Sequence, residues 1–90
     1  MPDPEARPRD AEPGALRKRS VTIAGHRTSI SLEEPFWRAL AESARMQGLS
    51  LAGLVTHIDA TRGRTGLSSA IRVYLLDYYR KRASAGRHRD

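Results

Sequence analysis

Ninety residues with 39% hydrophobic content allow one small domain with a thin core, and the absence of cysteine excludes a disulfide scaffold and every thiolate zinc site. The formal charge of +6 favours a polyanionic partner, since each Lys or Arg set near a phosphate releases condensed counterions. The histidines His26, His57 and His88 lie far apart without a second ligand at helical spacing, and no apolar run forms a signal-peptide core or approaches the about 20 residues of a membrane span, so neither a metal or other cofactor nor a membrane is expected.

Residues 1–16, with Pro2, Pro4, Pro8 and Pro13 among mixed charges, show no periodicity and read as a disordered N-terminal tail. The functional domain is expected over residues 17–82. It opens on "RKRS", where Arg17, Lys18 and Arg19 form either a basic arm on a phosphate backbone or a solvated charge run. Val21 and Ile23 alternate with Ser20 and Thr22 as weakly extended chain, and "AGH" at Ala24 to His26 interrupts them. Beyond it the apolar phase moves to even positions, Thr28, Ile30 and Leu32, with Arg27, Ser29 and Ser31 between them. A two-residue period survives such a shift only through a turn or bulge, which Gly25 permits. The clean strand is Arg27 to Leu32.

"SLEEPFWRALAESARMQG" then changes to helical spacing. Ser31 and Glu34 form a capping box, or Glu33 begins the helix, with Pro35 tolerated in the first turn. Phe36, Leu40 and Ala44, flanked by Trp37 and Ala41, make its apolar face, and Gly48 stops it. Ser50 caps a second helix in which Leu51, Leu54, Val55 and Ile58 share a face; Gly63 and Gly66 break the chain again. "LSSAIRVYLLDYYRKRA" is the longest helix, capped near Ser68, with Leu67, Ile71, Tyr74, Leu75 and Tyr78 on one side. Val73, Leu76 and Tyr79 widen that side beyond a single stripe, as in a helix buried between subunits. Residues 83–90 read as a frayed basic tail.

A lone strand with unpaired N–H and C=O groups must find a partner, and the same strand of a second molecule supplies one. Antiparallel pairing of two copies buries Ile30 and Leu32 over the helices and turns Arg27, Ser29 and Ser31 outward from both. Such a two-stranded ribbon has the width that a B-DNA major groove admits. The expected dimer core is Ile30, Leu32, Leu54, Ile58, Ile71, Leu75 and Tyr78.

The strand "RTSISL", the helix "EEPFWRALAESARMQ", the turn "GLS" and a following helix resemble the ribbon-helix-helix family of bacterial DNA-binding proteins. "KRSVTIAGHRTSISLEEPFW" with "LSSAIRVYLLDYY" is similar, more narrowly, to its short bacterial members with a third helix and no assigned physiological role. The resemblance covers Lys18 to Tyr79. It implies a mainly α fold with one short β-strand, an intertwined homodimer around a two-stranded antiparallel ribbon, plus a third C-terminal helix. It also implies base contacts by Arg27, Ser29 and Ser31, and a phosphate clamp at the start of the second helix, on Ser50 and Leu51. The third helix is a departure from the usual family member. Either it extends the dimer core, the preferred reading, or Leu49 to Gly66 is an insertion and Ser68 and Ser69 take the clamp role.

The function expected is sequence-specific binding of double-stranded DNA by a cytoplasmic homodimer, in a transcriptional regulator, with Arg17, Lys18 and Arg19 on the DNA backbone and no small-molecule substrate. An antitoxin that represses its own promoter is a variant; a dimeric adaptor that binds protein or RNA through basic arms is a different class. Catalysis has only His57 near Asp59 for support, and residues two apart diverge around a helix, so no enzyme and no catalytic residue is expected. Tyr74, Tyr78 and Tyr79 read as core and subunit contacts rather than a stacking platform for single strands.

Overall fold

The computed structural model describes residues 14–87 and runs β1 (Leu16–Ile23), β2 (His26–Glu33), α1 (Glu34–Met46), α2 (Leu51–Thr61) and α3 (Leu67–Arg87). The two strands form one antiparallel sheet in the register Val21↔Thr28, Arg19↔Ile30 and Arg17↔Leu32. The two-stranded ribbon is therefore present, but its second strand comes from the same chain. The backbone partner of Arg27 to Leu32, expected from a second molecule, is β1.

A two-residue loop, Ala24–Gly25, joins the strands, and both loop residues have positive φ, +50° and +84°. Positive φ at both central positions marks the type I′ turn, whose twist matches that of the strands it connects. This turn accounts for the shift in apolar phase. Residues opposite each other across it pair odd with even numbers, so Val21 and Ile23 on β1 share a face with Thr28, Ile30 and Leu32 on β2. Ala24 pays for its left-handed conformation where Asn would not. Ala24→Asn is expected to stabilise the fold by about 1 kcal/mol, raising the melting temperature by roughly 4–8 °C. Thermal unfolding followed by circular dichroism measures it, and an unchanged or lower midpoint would show that the turn carries no strain.

Ser31 and Glu34 do not make a capping box, because Ser31 is still in β2; Glu33 is the N-cap of α1, its side chain makes no capping bond, and a proline follows in the first turn. The helix closes in a Schellman motif: Gly48, at φ +71°, donates its N–H to Arg45 O at 3.1 Å, and Leu49 donates to Ala44 O at 2.8 Å. The buried face of α1 is Trp37, Leu40, Ser43 and Ala44, a rotation from the expected one that leaves Ala41 exposed. Ser43 is accommodated inside because its Oγ donates to Leu40 O at 3.1 Å. Ser50 caps α2 as expected, its Oγ accepting from Gly53 N at 2.9 Å.

Two boundaries differ from the sequence reading. Leu16, placed in the tail, belongs to β1, while residues 1–13 of that tail lie outside the described residues. At the other end α3 continues through residues 83–87, in place of a frayed tail; residues 88–90 lie outside the described residues. Alanines at 83 and 85 are strong helix formers, so charge was a poor guide there.

The core lies between the inner face of the hairpin and the three helices. Ile30, Leu32, Leu54, Ile58, Ile71 and Leu75, assigned to a dimer core, are buried within one chain together with Val21, Ile23, Trp37, Leu40 and Val55. The reason is the cover that β1 provides as the second strand of the hairpin, which a one-strand reading lacked. Tyr78 is only half-buried and stacks on Tyr74 at 6.2 Å between ring centroids. Tyr79 joins α3 to α1: its hydroxyl donates to Glu42 Oε1 and also lies 3.3 Å from Ala39 O. Burial, reinforced by the Glu42 carboxylate, pushes that hydroxyl up to about 12.

Candidate nucleic-acid interface

Side chains alternate across a strand, so the burial of Ile30 and Leu32 turns the odd-numbered residues of β2 away from the core. Arg27 and Ser29 are exposed; Ser31, closer to the helices, is half-buried. The predicted row is thus on one face. Facing it across the hairpin stand residues the sequence reading did not assign to base contact: Thr22 opposite Arg27, Ser20 opposite Ser29, and Lys18 opposite Ser31. Lys18, Ser20 and Thr22 are all exposed. The signal for them was the alternation itself, which identifies a face only when the turn and its register are known.

"RKRS" divides between the two faces. Lys18 is outward, whereas Arg17 and Arg19 share the inner side with Leu32 and Ile30. Arg17 Nη1 binds Glu34 Oε1 at 2.8 Å, Arg19 Nη2 lies 3.8 Å from the same oxygen, and the Arg19 guanidinium sits 5.1 Å from the centre of the Trp37 ring. Trp37 Nε1 in turn donates to Arg17 O at 2.9 Å, locking β1 onto α1. The hydrogen bond from Arg17, with the charges of Arg17, Arg19 and Arg38, holds the Glu34 carboxyl below the usual carboxylate range. The two arginines therefore form a partly neutralised flank of the hairpin rather than a loose arm. Among the described residues the outward cations Lys18 and Arg27 enter no ion pair.

At the helical end of the outward row, Glu33 is fastened to α3, its Oε1 accepting from Arg72 Nε at 3.0 Å and Nη2 at 2.9 Å. A hydrogen bond from its own backbone and then the Arg72 guanidinium hold it below the usual range, so the carboxylate next to the polar face is ionised but matched by a cation. Ser68 is not the cap of α3. The helix starts one residue earlier, and Ser68 Oγ donates to Ser31 O at 2.9 Å, which fixes the N-terminal turn of α3 beside β2. Ser50 instead turns its hydroxyl to its own helix, and Leu51 beside it is half-buried.

The remaining candidate residues do not converge. His57 is exposed and meets the Tyr74 ring edge-on at 6.5 Å, while Asp59 is paired with Arg62 at 2.7 Å. Among the described residues no group of three His, Cys, Asp or Glu could hold a metal ion, and no helix is long and apolar enough to cross a membrane.

A hairpin followed by helices, with one polar cationic face on the ribbon, is the setting of a family match: the ribbon-helix-helix domain matches residues 16–79. This chain belongs to the ribbon-helix-helix family. Domains of the family are typically non-enzymatic, belong to DNA-binding regulators and typically bind DNA as dimers. The chain is similar to the solved structure of an uncharacterized protein from Bordetella pertussis Tohama I, with a TM-score of 0.66 and 26% identity. That match covers 90% of this chain and 66% of the other, just under two thirds of its length. No curated protein matches the chain.

Proposed function

We propose that this ribbon-helix-helix protein is a homodimeric, sequence-specific binder of double-stranded DNA that regulates transcription, with the outward face of its ribbon set in the major groove. The observation that supports this most is the row Arg27, Ser29 and Ser31 on a two-stranded ribbon whose outward cations have no carboxylate partner among the described residues. Arginine pairs bidentately with guanine O6 and N7, and serine donates or accepts while being small enough to let a ribbon sit deep. The major groove is about 12 Å wide and takes one such ribbon.

Phosphate contact in this reading falls to the flanks of the ribbon. Arg17 and Arg19 keep partly exposed guanidinium groups there, at 36% and 45% side-chain exposure. The free N–H groups and dipole of a helix N-terminus also favour an anion. The bond from Ser68 to Ser31 favours Ser68 and Ser69, at the start of α3, over Ser50 and Leu51 for that role.

The second copy in this proposal sits on α3. Val73 and Leu76 are 65% and 59% exposed, and with Pro35, Phe36, Ala39 and Tyr79 they line an apolar groove of about 410 Å³ between α1 and α3. Large aliphatic groups this exposed on a helix that is otherwise packed mark an association surface. Leu76→Asp is expected to convert a dimer at micromolar concentration into a folded monomer in sedimentation analysis, and a variant that stays dimeric places the interface elsewhere. Duplex binding is tested by titration at rising salt. Affinity is expected to fall steeply, each phosphate contact adding about 0.9 to the slope of log affinity against log salt, and a flat response contradicts the proposal.

A further inference from the structure

We infer that Arg72 is a positioning residue for duplex binding: by drawing the Glu33 carboxylate onto α3, it stops the acid of the outward ribbon face from repelling phosphate and from capturing Lys18. The inference rests on the proposed duplex-DNA binding and names a residue on a different element that this binding requires.

Side chains alternate along β2, so the outward series Arg27, Ser29 and Ser31 continues to Glu33, which stands opposite Leu16. The same face of β1 carries Lys18, Ser20 and Thr22. Glu33 is thus the acidic member of a face otherwise made of cations, hydroxyls and a leucine. Its surroundings are where the proposed phosphate contact falls. Ser68 Oγ donates to Ser31 O at 2.9 Å, which sets the first turn of α3 beside β2, and Glu33 follows Ser31 by two residues, about 6.8 Å along the strand. The hydrogen bonds Glu33 makes hold its carboxyl ionised. Left unmatched, that charge would oppose a phosphate approaching Ser68 and Ser69.

Lys18 would be lost to the same carboxylate. It pairs across the ribbon with Ser31, which makes Glu33 its diagonal neighbour, with Cβ atoms about 7–8 Å apart and within reach of a lysine side chain. The two do not pair. Glu33 Oε1 instead accepts from Arg72 Nε at 3.0 Å and Nη2 at 2.9 Å, and among the described residues Lys18 enters no ion pair. Arg72 lies one helical turn beyond Ser68 and so on the same side of α3. Its guanidinium also sits 5.6 Å from the centre of the Phe36 ring, which backs the planar group while one edge grips the carboxylate. At 32% and 28% side-chain exposure, the pair is near enough to the surface for its charge balance to act on a ligand.

The alternative is that the ion pair only staples the start of α1 to α3. Removing both partners would then harm binding at least as much as removing one. Under the inference, removing the acid repairs the loss of the arginine.

The test measures affinity for a mixed-sequence duplex at fixed low salt, for the parent chain, Arg72→Met, Glu33→Gln and the double variant, with thermal unfolding of each. Methionine keeps an aliphatic stem against Phe36. Arg72→Met is expected to bind roughly three- to tenfold more weakly, a loss that shrinks as salt rises. Adding Glu33→Gln to it should restore affinity to within about twofold of the parent, since only a matched pair of charges has then been removed. Glu33→Gln alone should bind at least as tightly as the parent, whatever the stability of Arg72→Met. The inference is overturned, and the DNA-binding proposal stands, if the parent binds duplex while Arg72→Met binds equally well, if the double variant stays weak, or if Glu33→Gln alone weakens binding. A parent chain that binds no duplex removes the proposal and the inference together.

Discussion

Arg27→Ala is expected to remove most of the sequence preference while leaving the fold intact. One bidentate arginine–guanine pair discriminates by about 1–3 kcal/mol. A dimer on a two-fold operator makes the contact twice, far enough apart to add, for about 2–6 kcal/mol together, or roughly 30-fold to more than 10⁴-fold. Arg27 is exposed and enters no ion pair among the described residues, so its replacement should change stability by no more than about 0.5 kcal/mol. Binding to specific and scrambled duplexes at fixed salt separates the two effects. Loss confined to the specific duplex supports base reading, and equal loss on both places Arg27 on phosphate. Arg27→Glu goes further, since a carboxylate in the groove faces repulsion, and should abolish duplex binding. An adaptor that used its basic surface for protein or RNA would keep its partner through that change.

The largest effect on folding is expected at Trp37. Its ring is 2% exposed, packed in the core beneath the Arg19 guanidinium, and its Nε1 supplies the hydrogen bond to the Arg17 carbonyl. Truncation to alanine removes the ring and leaves a cavity, a loss of about 3–5 kcal/mol for a buried aromatic side chain. Small domains hold about 5–15 kcal/mol in all, so Trp37→Ala should unfold a large part of the population near physiological temperature. Trp37→Phe retains most of the volume but removes the hydrogen bond to the Arg17 carbonyl, for a smaller loss of about 0.5–1.5 kcal/mol. Denaturant unfolding by circular dichroism ranks the three proteins, and a Trp37→Ala midpoint close to the parent would mean that the ribbon is held to α1 by something else.

These two residues also show what could be read in advance. Arg27 was legible because strict alternation with Ile30 and Leu32 shows which residues of a strand leave the core, and Gly48 and Ser50 were legible because helix ends have strong local chemistry. β1 was obscured. Its inward positions at Arg17 and Arg19 are charged, which hides the alternation, and they tolerate the inner face only because Glu34 and Trp37, more than a dozen residues later, receive them. The phase shift at Gly25 was visible and is the arithmetic of a two-residue hairpin, but a bulge would produce a similar shift. Read only as weakly extended chain, β1 offered Arg27 to Leu32 no intrachain partner, so a second copy was needed to pair with them. Ser68 was misread as a cap because its hydroxyl acts on a strand far away in sequence, a contact that helical spacing cannot reveal.

Selection of bound sites from a random duplex pool separates a homodimer that reads the major groove through its ribbon from any other use of the basic surface. The expected outcome is an enriched palindromic consensus whose two half-sites each place guanine opposite Arg27. A pool that shows no enrichment, or that enriches single-stranded or non-symmetric sequences, contradicts it.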